Sequence, residues 1–177
     1  MQEIEAKILE IDPVEVIGSL KSAGAVLDFE SEFFAIYFDD PSQRLAALQQ
    51  ILRIRKEGGK AVLAFKAPHP DTRDGIRSRE ELEVPIGDFD MMRVVLGRLG
   101  YVECLRMRKI RTQYTAGGIH VVIDRHIDDL SYIPPYLEIE APSHQELFQM
   151  AGFLGFGRER LIDWNSAQVM EYYREKG

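Results

Sequence analysis

The chain has 177 residues, of which 45% are hydrophobic and 29% charged, the composition of an ordinary soluble globular protein. Its formal net charge of −7 argues against nonspecific nucleic-acid binding through the overall field. A single cysteine, Cys104, rules out an internal disulfide framework and fits a reducing compartment. Because there is no apolar run of membrane-span length and no leader pattern, we expect a single cytoplasmic domain over 1–177 without a membrane partner.

Strand signals dominate the first half of the chain. Residues 1–9 alternate charged and apolar side chains with the period of two that a strand requires. Asp12 then caps a predicted helix over 13–23, with Pro13 at its first position. The next predicted elements are an aromatic strand, a helical turn, a hairpin, a loop of turn residues and a fifth strand, at 29–38, 43–49, 51–56 with 61–67, 68–76 and 77–84.

The second half begins with a helix over 89–99, capped by Asp88. The remaining predicted elements are two strands joined at a Gly-Gly turn, a last strand and two helices, at 101–115, 119–125, 136–141, 143–154 and 166–175. Strands are not interleaved with helices in a βαβ rhythm, so the sheet should be largely antiparallel. The prediction is an α+β fold, mainly antiparallel β, in which eight strands form a closed barrel with a few peripheral helices.

One face of the predicted strands carries charged side chains almost exclusively. The acids on this face are Glu3, Glu5, Glu81, Glu83, Asp124, Glu138 and Glu140. The bases are Lys7, Arg53, Arg55, Lys66, Arg79, Lys109 and Arg111. The alternate face is mostly apolar, at Ile4, Ile8, Leu52, Ile54, Leu82, Val84, Ile110, Val121, Ile123, Leu137 and Ile139.

Two interpretations of the charged face are open. An open sheet with one face in water would explain any single strand. Across seven strands, however, a solvated face usually includes Thr, Ser, Gln and Asn, which are few here. Hard divalent cations bind carboxylate oxygens, and Arg matches phosphate oxygens in bidentate fashion. A site for metal ions and a polyanion therefore accounts for both signs of charge, whereas buried ion pairs alone are a poor source of stability.

Short motifs along nearly the whole chain resemble the CYTH, or triphosphate tunnel metalloenzyme, superfamily. They are ExExK at 3–7, YFD at 37–39, LRIR at 52–55, AFK at 64–66, REELE at 79–83, KIR at 109–111, VVID at 121–124, LEIE at 137–140, LGF at 154–156 and SAQVMEYY at 166–173. The superfamily includes class IV adenylate cyclases, thiamine triphosphatases and inorganic triphosphatases. The tail motifs are similar to those of the CyaB-like members.

The resemblance implies a role for each charged position. Glu138 and Glu140, with Glu3, Glu5 and Asp124, would hold one or two Mg²⁺ or Mn²⁺ ions. The basic residues would bind the phosphates of a small-molecule triphosphate, at Lys7, Arg53, Arg55, Lys66, Arg79 and Arg111. Glu81 and Glu83 would orient these bases or bind a second metal ion. A homodimer is the oligomer that the resemblance suggests, although no residue fixes it.

The resemblance also suggests the chemistry. Lys109, with Tyr37 nearby, resembles a Lys–Tyr pair placed beside the attacking water in the hydrolases, where the pair would act as general base. Hydrolysis of a terminal phosphate is the first hypothesis. A class IV adenylate cyclase, forming cyclic AMP and pyrophosphate from ATP, is the second, and a non-catalytic polyphosphate-binding module is the third.

The segment between Asp124 and Glu138 departs from the family pattern because it is longer than in relatives. Asp128 has the strand phase of Asp124 and competes with it for the metal role. His126 falls at the start of this segment, and we expect it to be solvated. His120 has the phase to line the tunnel.

Overall fold

The computed structural model describes residues 2–70 and 75–176, apart from the side chains at positions 2, 3 and 77. Its strands are β1 Gln2–Ile8, β2 Val26–Asp39, β3 Ile51–Glu57, β4 Lys60–Pro68, β5 Arg77–Pro85, β6 Val102–Ala116, β7 Ile119–His126 and β8 Tyr136–Glu140. They close into a barrel in the order β1-β5-β4-β3-β2-β6-β7-β8, and every neighbouring pair is antiparallel. The predicted closed antiparallel barrel is confirmed, and the open-sheet interpretation is excluded.

The helices are peripheral, as predicted. They are α1 Pro13–Ser22, α2 Arg44–Ala47, α3 Phe89–Arg98, α4 His144–Phe153 and α5 Ser166–Lys176, with 3₁₀ turns at Asp128–Leu130 and Arg158–Arg160. The predicted caps are present: Asp12 accepts from the N–H of Val14 at 2.8 Å, and Asp88 accepts from that of Met91 at 2.9 Å. These bonds satisfy N–H groups that have no partner within the helix. No helix among the described residues combines the length and apolar character needed to cross a bilayer.

The apolar outer faces of the strands are covered by these helices in two places. α1 and α4 bury the outer face of β1, β7 and β8, around Ile8, Val121, Leu137 and Ile139. α3 packs with Phe89 and Leu96 on Ile36 and Ile54 of β2 and β3. The outer face of β5 has no such cover, and Leu82 and Val84 are 53% and 58% exposed. Because the apolar faces of most strands pack against helices outside the barrel, the charged faces of these strands point into its interior.

β2 is longer than predicted, since it begins at Val26 instead of position 29. It pairs with β6 along almost its full length, with register shifts at Leu27/Phe29 and at Tyr37/Phe38. Such irregularities break the strict alternation on which strand recognition depends. The first residues of β2 are also exposed, at Val26 and Leu27, so no in–out pattern marks them.

Candidate active site

The inward faces of the barrel enclose one charged cavity of about 1160 Å³. Nearly all of the predicted site residues line it: Glu5, Lys7, Tyr37, Arg53, Arg55, Lys66, Arg79, Glu81, Glu83, Lys109, Arg111, Glu138 and Glu140. The period of two in each strand is the cause, because alternate side chains point to the same face of a sheet. Glu3 has the phase of Glu5, but its side chain lies outside the described residues.

Three carboxylates converge at the seam where the last strand meets the first. Single oxygens of Glu5, Glu138 and Glu140 all lie within 4.8 Å of one another. Glu5 is directly opposite Glu140 in the β1–β8 pairing, and Lys7 is opposite Glu138. Like charges this close repel one another, and an oxygen-only donor set is what Mg²⁺ and Mn²⁺ prefer. The group therefore has the chemistry to hold a divalent cation.

Lys7 lies beside this carboxylate group. Its ammonium is 2.6 Å from an oxygen of Glu138 and 3.8 Å from one of Glu5. Burial alone would raise the pKa of Glu138, but Lys7 and Arg111 hold it well below the usual range. Glu138 is therefore ionised at neutral pH, which is the form that binds a metal ion.

Asp124 lies behind the cavity wall and is completely buried. Its two oxygens accept from Nε and Nη2 of Arg111 at 2.9 and 2.8 Å, and Lys109 also donates to it. Burial opposes ionisation, yet Arg111 and Lys109 lower the pKa of Asp124 to about 2. The metal role predicted for Asp124 gains no support from this placement, because Arg111 and Lys109 bind its oxygens and it is not among the three carboxylates that converge. The bidentate contact instead fixes the orientation of Arg111.

Glu81 and Glu83 of β5 are paired with bases on β4 and on β3, the next strand beyond it. Glu83 accepts a bidentate pair from Arg55 at 2.8 and 2.9 Å. Glu81 is 3.0 Å from the ammonium of Lys66 and 3.9 Å from Arg53. Two roles were predicted for these acids, orienting the bases or binding a second metal ion, and these contacts support the first. They fix a row of cations on β3 and β4, the part of the wall away from the β1–β8 seam.

Lys109 and Tyr37 both line the cavity. Lys109 is 1% exposed, and its ammonium contacts Asp124 and, at 3.4 Å, the hydroxyl of Tyr136. Burial and Arg111 lower the pKa of Lys109 despite the opposing effect of Asp124. Tyr37 is 8% exposed and lines the same cavity as Arg53 and Ser166. Although burial acts to raise its pKa, Arg53 and Lys109 lower it overall.

Two sequence predictions in the 124–138 region are wrong. His126 is 3% exposed rather than solvated, because β7 continues through this residue and keeps the inward phase of Asp124. Burial and Lys109 lower the pKa of His126 to about 4. Asp128 does not compete for the metal, since the chain leaves the strand before it, with φ +58°, and its side chain pairs with Arg108 outside the tunnel at 2.6 Å.

The sequence analysis missed other residues that lie near Lys109 inside the barrel. Phe33 is buried, with Lys109 and Arg111 at 4.8 and 5.0 Å from its ring centre. Tyr136 has the inward phase of Glu138, which could have identified it. His120 lines the cavity as its phase predicted, and its Nδ1 is 2.9 Å from the hydroxyl of Thr115.

The start of α5 contributes to the lining of the tunnel. Asn165 and Ser166 line both the main cavity and a second one of about 630 Å³. The two cavities also share Tyr37, Ile51 and Arg79. No strand pattern could assign α5 to the site, because its contact with the barrel depends on packing of the C-terminal segment.

The sequence of this chain is similar to that of known proteins. A family model described as the CYTH domain matches residues 1–154. A Methanocaldococcus jannaschii protein, named as a candidate adenylate cyclase, is 32% identical over 140 residues. That alignment covers 79% of this chain and 77% of the relative.

Several solved structures share the fold. A candidate adenylate cyclase from Vibrio parahaemolyticus has a TM-score of 0.81 at 16% identity, over 96% of this chain and 97% of that chain. A Pyrococcus horikoshii OT3 protein has a TM-score of 0.79 at 20% identity, over 94% and 98%. A Hippeastrum protein, described as a candidate adenylyl cyclase with a dominant triphosphatase activity, has a TM-score of 0.69 at 18% identity, over 96% and 95%. With the family model covering most of its length and a relative 32% identical, the chain belongs to the CYTH domain family.

Proposed function

We propose that the chain is a metal-dependent triphosphatase that hydrolyses the terminal phosphate of inorganic triphosphate or a small organic triphosphate. The observation that carries the proposal is the arrangement of charge within the cavity of the barrel. Glu5, Glu138 and Glu140 converge on one side, and a row of fixed bases lies on the facing strands. A linear triphosphate with its counter-cation has this pattern of charge.

Glu5, Glu138 and Glu140 would hold Mg²⁺ or Mn²⁺. The bound cation supplies neutralisation of the phosphate oxygens and Lewis-acid polarisation at phosphorus. Arg55 and Lys66, each already oriented by an acid, bind the phosphate oxygens without a further loss of side-chain freedom. Arg111 is held in the same way by Asp124. Positioning and electrostatic stabilisation of this kind provide most of the catalysis in phosphoryl transfer.

Lys109 and Tyr37, which both line the cavity, would activate the attacking water. Both groups have a lowered pKa, so each gives up its proton more readily than in water. A general base is most effective when its pKa is close to the working pH. The terminal phosphate would therefore lie beside Lys109 and Tyr37, and the remainder of the substrate would extend toward the three carboxylates.

A class IV adenylate cyclase is the second candidate, and the name of the Methanocaldococcus jannaschii relative favours it. The same cations would bind the triphosphate of ATP, with the ribose 3′-hydroxyl directed at the α-phosphate. The Hippeastrum protein, described as having a dominant triphosphatase activity, favours hydrolysis on the same fold.

Product analysis separates the two activities. Purified protein is incubated with tripolyphosphate, thiamine triphosphate or ATP, in Mg²⁺ or Mn²⁺. Orthophosphate with a diphosphate supports the triphosphatase, and cyclic AMP with pyrophosphate supports the cyclase. The variants Glu140→Gln and Lys66→Ala should abolish turnover, whereas Glu80→Gln and Lys60→Ala, at exposed positions of β5 and β4, should retain it. Unchanged turnover in both tunnel variants would refute the assignment of the site.

A further inference from the structure

The cavity of the barrel reaches the end at which β6 turns into β7, because Gly118 of that turn lines it. Phe29, Gln113 and His120 line it as well. Phe29 is directly opposite Gln113 in the β2–β6 pairing, and His120 is directly opposite Glu140 in the β7–β8 pairing. Opposite side chains on one face of a sheet are neighbours. This part of the wall, which we call the rim, therefore adjoins the three-carboxylate group. The rim consists of Asp28, Phe29, Gln113, Thr115 and His120.

A register shift in β2 brings an acid to the rim. The shift lies between Leu27 and Phe29, so that Asp28 is an extra residue in the β2–β6 pairing. Such bulges redirect side chains at the rims of barrels. The carboxylate of Asp28 accepts from the hydroxyl of Thr115 at 2.6 Å and from the side-chain amide of Gln113 at 3.0 Å. These two bonds lower the pKa of Asp28, so at neutral pH it is ionised and can only accept.

The same network fixes the proton on the ring of His120. Its Nδ1 lies 2.9 Å from the hydroxyl oxygen of Thr115. That hydroxyl donates its one proton to Asp28, so it accepts from His120, and Nδ1 carries a proton. The amide nitrogen of Gln113 is farther from Nδ1, at 3.4 Å, and donates to Asp28 instead. In the neutral ring, Nε2 is then an acceptor, and no residue in the described part of the chain bonds to it.

Phe29 gives the rim an apolar face in a cavity whose wall is otherwise mostly charged. It has the inward phase of Phe33 and Tyr37 on β2, and it is half-buried where those two are buried. A partly exposed aromatic ring of this kind is a surface on which a planar heterocycle stacks. A triphosphate by itself has no group that such a surface would bind.

We propose that the rim binds an aromatic heterocycle with an amino substituent, carried by the triphosphate substrate. The heterocycle would stack on Phe29, and its amino group would donate to Nε2 of His120. The inference rests on the proposed function and deepens it, because it selects organic triphosphates such as ATP and thiamine triphosphate over inorganic triphosphate. Since His120 is opposite Glu140, the ring would lie next to the proposed metal site, and the phosphates would extend from there toward Lys109.

The first experiment measures kcat/KM for ATP and for tripolyphosphate, and compares their ratio among variants of the full chain. Phe29→Ala should lower the ATP-to-tripolyphosphate ratio about tenfold, the effect of losing one stacked base. Phe153→Ala is the matched control, since Phe153 is 52% exposed on α4 outside the barrel, and it should leave the ratio unchanged. Tripolyphosphate has no ring, so its own turnover reports whether each variant is folded.

The second experiment tests the hydrogen bond to His120 with ITP, which has a carbonyl oxygen in place of the amino group of ATP. The wild-type protein should prefer ATP over ITP by about three- to tenfold, the effect of one hydrogen bond. His120→Phe keeps an aromatic ring and removes the acceptor, so it should abolish this preference. Thr115→Val removes the hydroxyl that orients the imidazole and should reduce the preference.

Three results would overturn the inference: an equal loss with ATP and tripolyphosphate in Phe29→Ala, a preference for ATP over ITP that survives in His120→Phe, or a wild-type protein that hydrolyses tripolyphosphate but does not bind ATP. The last result leaves the proposed function intact. If the wild-type protein turns over no triphosphate, the proposed function fails instead. Calorimetric titration of the same variants with ATP, ITP and tripolyphosphate in Mn²⁺ then tests the rim through the ratios of Kd.

Discussion

Replacing Asp124 by Asn tests whether this acid binds a metal ion or holds Arg111 and Lys109. Asn has nearly the same shape, so the substitution removes the charge and leaves the packing almost unchanged. The buried guanidinium of Arg111 loses its bidentate partner at 2.9 and 2.8 Å, and Lys109 loses its closest acid. The three convergent carboxylates of Glu5, Glu138 and Glu140, the proposed metal ligands, are not changed.

The expected loss of stability can be obtained in two ways. The pKa of Asp124 falls from 3.8 to about 2. At 1.36 kcal/mol per pH unit, this corresponds to about 2 kcal/mol of favourable interaction with the charged form. Removal of one partner from a buried ion pair costs about 3–5 kcal/mol, because the remaining charge is left uncompensated. We therefore expect Asp124→Asn to lower the free energy of unfolding by about 2–5 kcal/mol.

The assay is urea unfolding at pH 7 in the presence of EDTA, with Asp128→Asn as the matched control. Asp128 also pairs with an arginine, at 2.6 Å, but it is 52% exposed, and such surface pairs contribute about 0–1 kcal/mol. A loss in Asp124→Asn no larger than that of the control would refute the ion-pair role. So would a loss that is seen only when Mn²⁺ is present, since that result belongs to a metal ligand.

The pH dependence of the free energy of unfolding tests separately whether the charged form of Asp124 stabilises the folded state. The folded-state pKa of Asp124 is depressed, so its contribution is complete above pH 3.8 and disappears as the pH falls toward about 2. The wild-type protein should lose stability in this range. Asp124→Asn should lose less, because it has no group to protonate there.

Three further predictions follow from the same structure. Glu140→Gln should remove the rise in melting temperature that Mn²⁺ gives the wild-type protein, while its melting temperature in EDTA changes little, since Glu140 belongs to the three-carboxylate group. His126 has a folded pKa of about 4 against 6.5, so stability should fall by about 3 kcal/mol as the pH drops from 6.5 to 4, and His126→Phe should flatten this dependence in urea titrations at each pH. Gly75→Ala should destabilise the protein by about 1–3 kcal/mol in the same assay, because Gly75 has φ +72° and an added Cβ would lie 2.3 Å from the carbonyl oxygen of Leu161.

The strands and their inward residues could be predicted from the sequence because one rule governs both. Alternation with a period of two identifies a strand, and it also states which side chains share a face. Glu138 and Glu140 are an example, since their spacing alone puts them on one side of β8. The prediction fails where the chain leaves the strand geometry. His126 and Asp128 are two residues apart, yet the end of β7 separates them into a buried and an exposed side chain.

The partners of each acid could not be predicted, because they depend on which strands become neighbours. Glu83 and Glu138 look alike in the sequence, each being an acid in a strand with a second acid two residues away. In the barrel, Glu83 on β5 reaches Arg55 on β3 across β4, whereas Glu138 lies at the β1–β8 seam beside Lys7, Glu5 and Glu140. The order of strands around the barrel decides which acid is paired with a single base and which also converges with other carboxylates.

The position of the three carboxylates at the closing seam would couple the proposed metal site to folding. Glu5 lies on the first strand and Glu138 and Glu140 on the last, so their oxygens come within 4.8 Å only when β8 pairs with β1. A cation bound there interacts with the closed barrel and not with the unfolded chain. By linkage it stabilises the folded state by RT ln(1 + [L]/Kd). Without a cation, Lys7 contacts Glu5 and Glu138, and Arg111 lies 3.9 Å from Glu138, so bases of the barrel wall offset part of the repulsion among the three carboxylates. A divalent cation at the proposed site would therefore add its stabilisation to a seam that is already partly neutralised.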